Sequence, residues 1–139
     1  MDSKSEQARR WDPLPNLPEN VIAKLVISYE PEAGCIVTAS YGEGSPNLRI
    51  RFPQPEAFKA YEEFSDAAYV GAQPLERMTQ AGWGQPWPLL EIENSLWVAR
   101  VVARNGSIAD RPLRHCVIRS FDLILHVMFA DDPEAQLLG

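Results

Sequence analysis

"LRHCVIRSFDLILHVMFA", residues 113–130, is the most strand-like run of the chain and is too long to be one strand. At about 3.3 Å per residue, its extended length would be roughly 60 Å. A compact chain of this size has a radius of gyration of only about 14 Å. The alternation also changes phase. Arg114, Cys116 and Ile118 alternate with His115, Val117 and Arg119, and Leu123, Leu125, Val127 and Phe129 then alternate with Ile124, His126 and Met128. An unbroken strand with Cys116 and Ile118 inward would carry Ser120 and Asp122 inward as well. A slip of one residue exchanges the faces, and Ser and Asp are turn formers. The reading is a hairpin turning at Ser120–Asp122, with Cys116 near Val127; a bulged bend is the alternative.

Upstream, "VIAKLVISYEPEAGCIVTASYG" reads as a second hairpin with Pro31-Glu32-Ala33-Gly34 at its turn. "LRIRF", residues 48–52, alternates apolar and basic residues and supplies a third strand. In "PQPEAFKAYEEFSDAA" the spacing changes. Ala57, Phe58, Ala60, Tyr61, Phe64 and Ala68 fall on one helical stripe, with Glu56, Glu62, Glu63 and Asp66 largely off it. This predicts an amphipathic helix with an acidic outer face, and "PLERMTQAG" predicts a second, short helix between Pro74 and Gly82. "LLEIENSLWVARVVARNG" reads as a strand over 88–93 and a short helix over about 95–104. Its cap is Asn94 or Ser95, and Asn105-Gly106 stops it.

The expected fold is therefore α+β: an antiparallel sheet of about five to six strands, with one amphipathic helix and two short helices packed on it. Residues 21–130 form the domain. Residues 1–20 read as a flexible N-terminal arm and 131–139 as a polar C-terminal tail.

Composition narrows the function classes. The 139 residues carry 45% apolar side chains, no stretch long enough for a membrane span and no apolar signal core near the N-terminus. Cytoplasmic residence is expected. Cys35 and Cys116, inside apolar strands, are expected as buried free thiols. The net charge of −6 argues against nucleic acid as the partner. Residues 56–95 hold seven acids against Lys59 and Arg77, a balance of −5.

No motif announces catalysis: there is no Gly-x-Ser-x-Gly elbow, phosphate loop or His-Glu-x-x-His. Ser120, Asp122 and His126 are near in sequence, but a triad requires all three in hydrogen-bond contact, which a turn does not by itself specify, so no catalytic residue and no cofactor is expected. His115, Asp122 and His126 are weak metal candidates. Trp83 and Trp87, in "WGQPWP", form either an aromatic binding surface or a plug sealing the core.

"LLEIENSLW" and the opening run together resemble a pattern in small, uncharacterised bacterial proteins of the polymorphic-toxin immunity type. A strand ending in Glu-x-x-Ser-x-Trp or a relative, here the shorter Glu93-Asn94-Ser95-Leu96-Trp97, leads there to a helix, then to a Leu-x-His-aromatic-x-Ile strand, an Asp turn and a final apolar strand. The matching positions are Glu93, Ser95, Trp97, His115, Ile118 and Asp122, over residues 88–130. Cys116 departs from the usual aromatic, and His126 stands where an acid is common. The resemblance implies a non-enzymatic protein-binding module that neutralises a toxin, with Glu56, Glu62, Glu63, Asp66, Trp83 and Trp87 as candidate contacts to a basic domain. The alternative is a small-ligand or metal-binding module built on the Trp and His residues.

Overall fold

Two antiparallel sheets stack around one core, in a computed structural model that describes residues 6–19, 21–62, 87–105, 112–121 and 123–139. The strands are β1 (Gln7–Arg10), β2 (Lys24–Glu30), β3 (Gly34–Ser40), β4 (Asn47–Phe52), β5 (Ala57–Glu62), β6 (Leu89–Glu93), β7 (Arg114–Arg119), β8 (Leu123–Phe129) and β9 (Glu134–Leu138). The helix α1 (Leu96–Arg104) follows β6. One sheet has the order β1-β6-β7-β8-β5 and the other β2-β3-β4-β9. The class is α+β, but the strands divide between two sheets, and α1 is the one helix among the described residues. None of the described helical structure is long and apolar enough to cross a membrane.

The opening run folds back where its phase slips. β7 and β8 pair antiparallel with Cys116 opposite Val127. Ser120 N donates to Leu123 O at 2.8 Å, while Ser120 Oγ accepts from Leu123 N at 3.0 Å, so the serine closes the turn. The first hairpin and "LRIRF" also form as strands, β2, β3 and β4, in consecutive pairing. Gly34 is essential to that corner. Its φ is +87°, and a Cβ there would stand 2.2 Å from the Phe52 carbonyl oxygen.

Over its described part the amphipathic helix expected from Pro55 onward is replaced by a strand: Ala57–Glu62 is β5, paired along its length with β8, and the rest of the expected helix lies outside the described residues. The same residues carry a second periodicity, with Ala57, Lys59 and Tyr61 on one face and Phe58 and Ala60 on the other. β8 offers a complete free edge to that alternative, and tertiary pairing overrides local helix preference. Glu56 precedes the strand and Glu62 ends it, so they share no helical face. The expected helix at 74–82 lies outside the described residues.

Both chain ends join sheets as well. The supposed arm contributes β1, on the edge beside β6, and buries Trp11 and Leu17. The supposed tail contributes β9, beside β4. For β1 the burial of Trp11 and Leu17 offsets the entropy of ordering a polar segment, whereas β9, with Leu137 and Leu138 exposed, is held by its ladder with β4 and by Ala135 against the core.

The inner faces meet in a core containing Leu25, Val37, Ile50, Leu89, Ile118, Leu125 and Val127. Phe52 from one sheet and Phe129 from the other have ring centroids 5.1 Å apart. Trp11 lies 6.4 and 6.5 Å from them. Each such side chain contributes about 1.5–3 kcal/mol by leaving water. Cys35 and Cys116 lie in this core as fully buried free thiols. Burial pushes the Cys35 thiol up to about 11 and the Cys116 thiol up as well.

Candidate functional site

The hairpin that sends Cys116 and Val127 into the core sends His115 and His126 to the opposite face of the five-stranded sheet. They are diagonal neighbours there, since His115 pairs with Met128 and His126 with Val117. His115 Nε2 lies 2.9 Å from His126 Nδ1, and both residues are fully buried. His115 Nδ1 lies 2.7 Å from Ser95 Oγ.

Ser95 holds that position because it caps α1. Its extended backbone (φ −61°, ψ 125°) ends the β6 connection, and Oγ accepts from Val98 N at 3.1 Å. Oγ keeps its proton and a second lone pair for the bond to His115 Nδ1. One N–H lies between His115 Nε2 and His126 Nδ1, so the three side chains are linked in series from helix cap to sheet. Glu6 Oε2 accepts from Leu96 N at 2.7 Å, so a carboxylate also occupies the positive end of the helix.

Trp97, in the first turn of α1, covers the chain edge-on, with ring centroids 5.0 Å from His115 and 6.3 Å from His126. Lys59 Nζ lies over the Trp97 ring, 4.4 Å from its centroid, and Tyr61 packs edge-on to His126. Burial first, then His126 and Lys59, push the His115 pKa down to about 2. His115 is neutral at physiological pH. The arrangement fixes α1 on the sheet, and its serine is largely buried and engaged as a cap.

The partner-binding candidates named from sequence fall elsewhere. Trp87 is buried, its Nε1–H donates to Trp11 O at 3.0 Å, and the Arg10 guanidinium stacks 3.6 Å from its ring centroid. It is a plug. Glu56 is exposed, whereas Glu63, Asp66, Trp83 and Asp122 lie outside the described residues. The two histidines spend a nitrogen each on one another, and no group of three or more metal-ligating side chains occurs among the described residues. Ser120 serves its turn.

What sequence reasoning missed is the outer face of the four-stranded sheet. Register aligns Val26, Thr38, Arg49 and Gln136 in one row and Ser28, Ile36, Arg51 and Glu134 in the next. Val26 is 50% exposed, and Ile36 and Thr38 are only half-buried. Arg51 is fixed by donation to Ala33 O at 2.7 Å and to Glu134 at 3.0 Å. Arg49, Arg51, Glu134, Ala135 and Gln136 line a groove of about 190 Å³. The alternation of "LRIRF" was the signal available for this face.

Comparison of the chain with protein-family models, with curated proteins and with solved structures returned no match.

Proposed function

We propose that the chain is a non-enzymatic protein-binding module of the cytoplasm, of the polymorphic-toxin immunity type, and that its partner seats on the outer face of the four-stranded sheet. The observation that carries this reading is the mixed character of that face. Val26 and Ile36 offer apolar contact, Arg49 offers a cation for carbonyl or carboxylate oxygens, Glu30 offers an exposed carboxylate, and the Arg51–Glu134 pair holds the groove between them in shape. The net charge of −6 favours a basic partner at long range, through association rate more than through contact energy. Two buried free thiols suit a reducing compartment. The resemblance over residues 88–130 supplies the toxin as the kind of partner.

The test is growth rescue. The chain is co-expressed with a toxin reading frame adjacent to its gene, beside a Val26→Glu, Arg49→Glu variant with unchanged Tm. Rescue by the native chain and its loss in the variant are expected. Rescue that the variant retains moves the interface away from this sheet, and absence of both rescue and binding rejects the immunity reading.

A further inference from the structure

We propose that β2 is a self-pairing edge, through which two copies of the chain join their four-stranded sheets into one continuous eight-stranded sheet. β2 ends the order β2-β3-β4-β9, and among the described residues no strand pairs with its outer edge. The strand has no proline and no inward-pointing charge, the devices that normally blunt an edge. Its inner row, Leu25, Ile27 and Tyr29, is apolar, and Tyr29 at 52% exposure is far more open than its neighbours in the core.

The sequence of β2, Lys-Leu-Val-Ile-Ser-Tyr-Glu, is complementary to itself when run antiparallel about Ile27. Lys24 then stands opposite Glu30 of the second copy, Leu25 opposite Tyr29, Val26 opposite Ser28, and Ile27 opposite its own counterpart. The two-fold axis repeats each pair, giving two opposite-charge pairs on the outer row and two aliphatic–aromatic pairs on the inner row. The other edges lack this property. β1 would set Arg9 and Arg10 against the second copy's Ala8 and Gln7 with four arginines crowded together. β9 would set Glu134 against Leu138, and β5 would set Glu62 against Ala57. Opposite charges at both ends of the pairing occur on β2 alone among these four.

Edge pairing of one strand buries less than a standard interface, so the dimer is expected to be weak and salt-sensitive. Sedimentation equilibrium of the full chain at low ionic strength tests it, using the native protein, Lys24→Glu, Glu30→Lys and the double charge swap. Both positions are exposed, so the fold should survive, with an unchanged Tm as the control. The native chain and the double swap should dimerise, and each single reversal should weaken dimerisation about tenfold or more by facing like charges. A native chain monomeric up to millimolar concentration overturns the proposal. So does a dimer that the single reversals leave unchanged, because it then uses another surface.

Discussion

On the outer face of the five-stranded sheet, His115 and His126 are fully buried, hydrogen-bonded in series and covered by Trp97. On the outer face of the four-stranded sheet, Val26 is half exposed and Arg49 lies beside an open groove. Both sheets turn similar aliphatic residues inward, so the difference lies in what covers the reverse side. A polar chain that is buried and fully ordered holds one helix in one place, since removing any member leaves the others unsatisfied in a dry setting. A face left in water carries no such constraint and is free to serve contact.

Mutations can break this contrast, beginning with the reference they share. Phe129→Ala, in the core common to both sheets, should cost about 3–5 kcal/mol in urea unfolding. On the closed face, His115→Ala should cost about 2–4 kcal/mol, because it opens a cavity and strips partners from Ser95 and His126. Replacing both histidines by Phe should cost less than the two single changes added together. Ser95→Ala should cost about 1–2 kcal/mol, the loss of a cap and of the hydroxyl bonded to His115, and amide exchange should accelerate first in α1. On the open face, Thr38→Ala and Val26→Ser should each stay within about 0.5 kcal/mol. Should Val26→Ser prove as costly as Ser95→Ala, that face is covered in solution and the contrast fails.

How much of this was legible depended on whether the signal was local. The turn at Ser120 and the pairing of Cys116 with Val127 followed from one slip of phase within eighteen residues. The limits of α1 followed from Ser95 at one end and Asn105 at the other. β5 was misread because Ala57–Glu62 satisfies both a helical and a strand periodicity, and the choice is made by the edge of β8, more than sixty residues away. The division into two sheets was hidden for the same reason, since inward and outward alternation is identical whichever sheet a strand joins. The shared face of His115 and His126 could be read from the two phases of the hairpin. Ser95 as their third member could not, because a helix cap gives no sign in sequence of what lies beneath its hydroxyl.

The most direct test of the closed face is the free energy of unfolding measured between pH 7 and pH 5. The chain has two histidines, and both belong to the buried chain, so histidine-linked changes report on it alone. In the unfolded state His115 takes up a proton near its ordinary pKa of about 6.5, whereas in the folded state it stays neutral down to about pH 2. The unfolded state therefore binds more protons below pH 6.5. The stabilisation is complete above that value and declines as pH falls, by about 2 kcal/mol at pH 5 for one such histidine. A stability that falls by this amount, and that no longer does so in the double Phe variant, is the result expected. A stability that stays flat or rises between pH 7 and pH 5 would contradict it, because His115 would then be charging inside the folded protein and the face would be open.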